Sequence, residues 1–171
     1  MTPTELITLS RECAAAVYGA RPPTPSYGEA IARLLMGTAA TESLLRYRRQ
    51  IGFSMDKLPG AWGLWQTEQH AVIDSIRYLR RRGDVLANAA RFVDLSEVFH
   101  SDMLTTMRRI HDDDRFAVLF ARLHYLRVAE SVPDDLRGQA WYWKRYYNTR
   151  LGKGTIDGYI RNWQTIVEPE L

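Results

Sequence analysis

SYGEAIARLLMGTAATESLLRYRRQ, residues 26–50, is the stretch that decides the fold. Ile31, Leu34, Leu35, Thr38 and Leu45 recur at intervals of three, four and seven residues, the spacing of one face of an α-helix. Ser26-Tyr27-Gly28-Glu29 reads as a capping box that opens this helix, and the pattern predicts that it runs to about Gln50. Arg46, Arg48 and Arg49 suit the negative end of such a helix. Glu42 lies on the same face as Ile31, Leu35 and Thr38, and the small residues Ala39, Ala40, Thr41 and Ser43 let a backbone or a ligand come close. A carboxyl group there loses hydration in its charged form, so its pKa is expected to rise from about 4.3 toward about 6. An acid that is protonated near neutral pH is a candidate proton donor. Periodicity alone leaves open that Glu42 pairs with Arg33 or Arg46, or that the helix turns it outward.

Outward from this stretch the chain reads as helix after helix. Thr2-Pro3-Thr4-Glu5 is a capping box with proline at the first helical position, and the segment from Ala20 to Pro25 is a rigid connector. The periodicity stops from Gly52 to Gln66, where Pro59, Gly60 and Gly63 mark a loop. Thr67 is the expected cap of the next helix, and a short helix is expected over 85–91, followed by one over 95–110. Asp112, Asp113 and Asp114 read as a break plus an N-cap. Further helical faces are carried by Phe116, Leu119, Leu123 and Leu126, then by Leu136, Ala140, Trp143 and Tyr147, and last by Ile156, Tyr159, Ile160 and Trp163 after a cap at Thr155. No segment shows the alternation a strand needs. The expected fold is all-α, with room for a small β-hairpin in 52–62. The expected organisation is one domain over 1–171: an N-terminal helix and Pro-rich connector over 1–25, then a core over 26–164.

Composition narrows the function classes. The chain is 46% hydrophobic and 25% charged, which is ordinary for a globular protein. No stretch approaches the ~20 apolar residues of a membrane span. The first ten residues hold Glu5 and no basic leader, so no secretory signal is expected. Cys13 is the only cysteine, which excludes an internal disulfide and a cysteine-based zinc site. His70, His100, His111 and His124 show no metal-ligand spacing, and no phosphate-binding loop or Gly-x-Ser-x-Gly elbow is present, so neither a metal nor a cofactor is expected. A net charge of +3 is far weaker than the basic stripes of nucleic-acid binders, and Arg80-Arg81-Arg82 reads as a solvated helix end rather than a nucleic-acid surface.

Three short motifs then occur in order: Thr41-Glu42-Ser43 at a helix end, Gly60-Ala61-Trp62-Gly63-Leu64-Trp65-Gln66, and Tyr147-Asn148. Together they resemble the Glu-Ser, Gly-x-Gly-Leu-Met-Gln and Ala-Tyr-Asn-Ala-Gly motifs of the lytic transglycosylases of the lysozyme-like superfamily. Tyr146-Tyr147-Asn148-Thr149 followed by Gly152-Lys153-Gly154-Thr155 also resembles phage virion proteins of that superfamily. The resemblance covers roughly Ser26 to Trp163. It implies a two-lobed, lysozyme-like helical fold with the glutamate in the cleft, acting on the β-1,4 bond between N-acetylmuramic acid and N-acetylglucosamine of peptidoglycan. Glu42 would be the catalytic acid and then base, with Ser43 and Gln66 orienting its carboxyl or the glycan. Gly63 and Leu64 would line the floor, Tyr147 would hydrogen-bond Glu42, and Asn148 would hold the local turn.

The same resemblance implies synthesis in a host cytoplasm without a signal peptide, association with other phage virion proteins, and action on the bacterial cell wall. Trp65 replaces the usual methionine, and Thr149 and Arg150 replace a small Ala-Gly pair. These departures leave open a structural protein of a phage tail or neck that keeps the fold and has lost the activity. Trp62 and Trp65, in a glycine-flanked loop, are the indoles expected to be exposed for sugar stacking. A hydrolase would need a second carboxylate, for which Asp56 and Glu68 are the loop candidates; a single-acid transglycosylase would not.

Overall fold

The computed structural model describes residues 2–148 and 152–170. Among them are eight α-helices: α1 (Pro3–Ala16), α2 (Pro25–Ser43), α3 (Gln69–Arg81), α4 (Gly83–Phe92), α5 (Met103–Asp112), α6 (Asp114–Leu126), α7 (Leu136–Trp143) and α8 (Ile156–Asn162). The described residues form no β-strand, so the fold is all-α. The hairpin allowed for 52–62 is absent. Two isolated antiparallel bridges, Arg49 with Trp62 and Trp62 with Thr67, join the flanks of that loop instead.

Local chemistry sets most helix ends. Thr2 and Glu5 form the expected capping box, with Thr2 Oγ1 accepting from the Glu5 amide at 3.2 Å and Glu5 Oε2 from the Thr2 amide at 2.7 Å. α2 starts slightly before the expected Ser26: the Thr24 hydroxyl accepts from the Tyr27 amide, and Pro25 fills the first turn. α3 begins at Gln69 after Glu68, because the backbone of Thr67 is engaged with that of Trp62. The helix expected over 95–110 forms only from Met103, after the Asp102 carboxylate caps the Thr105 amide. Asp113 caps α6 through the Phe116 amide and Thr155 caps α8, both as the spacing implies.

The main correction concerns the end of α2. The helix stops at Ser43, not near Gln50, because Leu44 and Leu45 adopt left-handed backbone angles (φ of 54° and 53°). Such a conformation costs an L-residue roughly 1–2 kcal/mol. Leu45 recovers part of it by packing against the core. Arg48 and Arg49 therefore do not decorate a helix terminus. Arg48 makes a two-pronged pair with Asp114, Nη2 to Oδ2 being 2.6 Å, and binds the His111 carbonyl. Arg49 turns inward on the following loop.

α2 is buried on nearly every side, and α1, α6, α7 and α8 pack against it. Its small residues make this possible. A Cβ on Gly37 would lie 2.0 Å from the Tyr159 hydroxyl of α8. One continuous apolar cluster runs from Leu6 in α1 to Val167 beyond α8 and includes Trp62, Trp65 and Trp143. After α7 the chain widens into a π-helical turn, Lys144–Asn148. Among the described residues no helix is long and apolar enough to cross a membrane.

Candidate active site

Glu42 sits in the last turn of α2, where the helix is about to break, and its carboxyl opens onto a cavity of about 520 Å³. Glu68, His70, Gln66, Thr67, Tyr147 and Asn148 are among the other lining residues. Among the described residues Glu42 pairs with neither Arg33 nor Arg46; Arg33 instead lies over the Trp163 ring. The carboxyl accepts a hydrogen bond from the Trp143 indole, Nε1 to Oε1 being 2.9 Å. The Asn148 side chain also favours its charged form. Lys144 fixes that amide: its ammonium donates to Asn148 Oδ1 at 2.8 Å and to the Gly152 carbonyl at 2.8 Å, so the NH₂ is the end of the amide left for other partners.

Burial pushes the Glu42 carboxyl up to about 7, and the nearby Glu68 adds to the rise. The Trp143 and Asn148 hydrogen bonds and the Lys144 charge oppose it without cancelling it. Desolvation prevails because two neutral donors compensate only part of the hydration a carboxylate gives up. Near neutral pH the group is therefore divided between an acid and a base form, the condition for a side chain that must give and then take a proton.

The Gly63-Leu64-Trp65-Gln66 segment is a tight turn rather than a cavity floor. Trp62 and Thr67 close it with reciprocal backbone hydrogen bonds of 3.0 and 2.8 Å, and positive φ at Gly63 (71°) and Gln66 (45°) bends it. Gly63 is required by space as well as by angle, because a Cβ there would lie 2.6 Å from the Ile110 carbonyl. The turn drives Leu64 and Trp65 into the core, where the Trp65 indole donates to the Leu35 carbonyl of α2 at 2.8 Å. Trp62 is also fully buried, with the Arg49 guanidinium carbon stacked 3.9 Å from its ring centroid. The expectation that Trp62 and Trp65 are exposed is thus overturned. The exposed indole is Trp141.

The other residues singled out in the sequence fall into different places. Ser43 is buried and its hydroxyl donates to the Ala39 carbonyl one turn back, so it does not orient Glu42. Gln66 lines the cavity, with its NH₂ donating to the carbonyls of Gly63 and Tyr47. Tyr147 lines the cavity too, but its hydroxyl donates to the Trp65 carbonyl at 2.8 Å and not to Glu42. The reason is that the tight turn leaves that carbonyl without a helical or strand partner, and a half-buried phenol supplies one. Asp56 lies outside the cavity, exposed and paired with Arg108 at 3.3 Å. The carboxylate on the cavity wall is Glu68, exposed and 3.2 Å from His70. Thr149 and Arg150 lie outside the described residues.

His124 carries a role its sequence does not announce. It is largely buried behind Tyr147, and its Nε2 lies 2.6 Å from the Tyr146 carbonyl while its Nδ1 lies 3.2 Å from an Arg127 guanidinium nitrogen. A carbonyl only accepts and a guanidinium only donates, so the neutral Nε2–H tautomer is the one that satisfies both. Burial pushes this imidazole down to about 4. Arg127 is in turn paired with Asp74 of α3 at 3.3 Å. The arrangement ties the π-turn bearing Tyr147 and Asn148 to α3 and α6. Among the described residues no three His, Cys, Asp or Glu side chains converge as a metal site. Comparison of the chain with protein-family models, with curated proteins and with solved structures finds no match, so the meaning of the site rests on its own geometry.

Proposed function

We propose that the protein cleaves the glycan strands of peptidoglycan at the β-1,4 bond between N-acetylmuramic acid and N-acetylglucosamine, with Glu42 as the single acid–base group of a lytic transglycosylase reaction. The observation that carries this reading is Glu42 itself: a carboxyl held up to about 7 by burial, fixed by the Trp143 indole and Asn148, and facing a cavity of ligand size. Cleavage of a glycosidic bond requires a proton on the departing sugar oxygen, and a protonated Glu42 supplies it. The resulting carboxylate then takes the proton of the muramyl 6-hydroxyl as that oxygen attacks the anomeric carbon, which closes an anhydro ring and returns Glu42 to its acid form. No water enters and no second carboxylate is needed. The ordered resemblance of the three motifs to lytic transglycosylases and phage virion proteins supports the substrate class and a virion-associated setting.

A second outcome follows from Glu68, whose carboxylate lines the same cavity and raises the Glu42 pKa. If Glu68 rather than the 6-hydroxyl assists attack, by activating a water, the product is a free reducing end and the enzyme a muramidase. Mass spectrometry of digested murein separates the two, because the anhydro product is lighter by one water. Glu42→Gln keeps the hydrogen-bond acceptor for Trp143 but cannot protonate a leaving group, so murein cleavage should fall by at least about 10²–10⁴-fold. A folded Glu42→Gln variant that still clears murein would overturn the assignment. So would a folded wild-type protein without activity, which would leave a structural protein.

A further inference from the structure

Arg122, on α6, is only 4% exposed, yet among the described residues no carboxylate pairs with it. The arginines before and after it in the chain are both paired, Arg115 with Glu12 at 2.7 Å and Arg127 with Asp74 at 3.3 Å. The Arg122 Nε donates to the Val17 carbonyl at 3.0 Å, which anchors the base of the guanidinium. Its two terminal nitrogens carry the remaining N–H donors and meet no acceptor among the described residues. A buried charge is costly unless an opposite charge or a full set of acceptors meets it. Burial accordingly pushes this guanidinium down from its ordinary range, with no carboxylate to hold it up.

Arg122 lines a cavity of about 160 Å³ that shares no residue with the Glu42 cavity. It is far below the roughly 300–1,000 Å³ of pockets for drug-sized ligands, so it suits a small molecule. Two of its phenols are already committed. Tyr125 donates to Thr38 Oγ1 at 2.7 Å, since the Thr38 hydrogen goes to the Leu34 carbonyl, and Tyr142 donates to the Glu130 carbonyl at 2.9 Å. Tyr27 is not: its oxygen accepts from the Val132 amide at 3.2 Å, and its own hydrogen remains to be given. The carboxylate of Glu130 is exposed and 4.0 Å from Arg145, and the second cation on the wall, Arg21, is exposed too. Arg21, Arg122 and Glu130 together carry one net positive charge, which a single carboxylate neutralises. The guanidinium fork matches the two oxygens of a carboxylate, and the walls at Tyr18, Val128 and Val132 suit a small apolar body behind it. A phosphate dianion brings more charge than these walls balance.

We propose that the cavity at Arg122 is a binding site for a small organic carboxylate, whose oxygens take the terminal nitrogens of Arg122 and the hydroxyl of Tyr27. The site is separate from the Glu42 cavity and stands whether or not the chain cleaves murein. Its occupant joins the segment after α1 to the segment after α6, because Arg122 already holds the Val17 carbonyl and Tyr27 the Val132 amide. A ligand that binds only the folded chain stabilises it by mass action, so occupancy is read as a rise in melting temperature.

The test titrates the wild-type chain with acetate, benzoate and inorganic phosphate, using chloride at matched ionic strength as the control. Two signals are followed: the melting temperature and the NMR resonance of the Arg122 Nε–H. Acetate or benzoate should shift that resonance saturably and raise the melting temperature beyond the chloride control. Arg122→Met should abolish the effect, and Tyr27→Phe should weaken affinity by about tenfold, the loss of one hydrogen bond to a charged group. Circular dichroism verifies that both variants fold. If Arg122→Met does not, Tyr27→Phe and the Arg122 resonance of the wild type still decide the matter. No saturable shift with either carboxylate overturns the site, as does an effect that chloride reproduces or that survives Tyr27→Phe undiminished. Binding of phosphate but of neither carboxylate overturns the ligand class.

Discussion

At the scale of the residue, Glu42 gains its character from a competition between burial and two donors. Removing one donor tilts that competition further. Trp143→Phe keeps the aromatic packing but deletes the indole N–H that reaches Glu42 Oε1 at 2.9 Å. A hydrogen bond to a charged group is stronger than to its neutral form, so its loss should raise the Glu42 pKa by about one unit. The alkaline limb of the pH–rate profile on murein should move up by the same amount, and an NMR titration of the Glu42 carboxyl gives an activity-independent reading. An unmoved titration would show that the indole does not tune this acid. The burial of Glu42 was one of the outcomes its place in the stripe of Ile31, Leu35 and Thr38 allowed, and periodicity alone did not choose it over an arginine pair or an outward turn. Its donors were not legible in the sequence, because Trp143 and Asn148 reach it from about a hundred residues downstream and each is equally at home in a core or a turn. The same holds for His124, whose solitary place in the sequence conceals the Asp74, Arg127 and Tyr146 groups around it.

At the scale of the element, the helices were legible wherever capping chemistry and periodicity agree, as at Thr2, Asp113 and Thr155. The end of α2 was not, since Leu44, Leu45 and Arg46 are good helix formers. What stops the helix lies elsewhere: Arg48 is claimed by Asp114, and Arg49 by the loop. Nor could the fate of Trp62 and Trp65 be read locally, because glycines permit a loop to turn either way and only the Leu35 carbonyl and Arg49 settle the direction. Arg49 is the organiser of that loop. Its guanidinium donates to the carbonyls of Ser54, Lys57, Pro59 and Ala61. Arg49→Met should therefore speed amide hydrogen exchange over 50–61 by about 10–100-fold while leaving α1 and α6 as protected as before. Unchanged protection in the loop would mean that side-chain packing, not the guanidinium, holds it.

At the scale of the whole molecule, two buried groups bend stability in opposite directions. Glu42 is raised from an ordinary value of 4.5 to about 7, so between those values the folded state binds more protons than the unfolded one, and stability falls as pH rises. The loss approaches about 3 kcal/mol above pH 7. His124 is lowered from 6.5 to about 4, so its contribution is lost as pH falls through that window. Glu42→Gln should accordingly be more stable than the wild type in urea at pH 8, with the advantage vanishing near pH 4.5. An advantage of the same size at both pH values would show that the burial of Glu42 has no electrostatic cost.

The fastening of the 50–61 loop has a consequence for how this surface can change over time. Arg49 holds the loop by main-chain carbonyls, and every amino acid brings a carbonyl. The shape of the loop thus depends little on its solvent-facing side chains, apart from Gln50, whose Oε1 accepts from the Ala61 amide, Met55 and Leu58, which pack against the core, and Gly60, where the Phe53 ring lies against the backbone. Ile51, Ser54, Asp56 and Lys57 are free to vary without unmaking the fold, and the loop can acquire new surface chemistry by single substitutions.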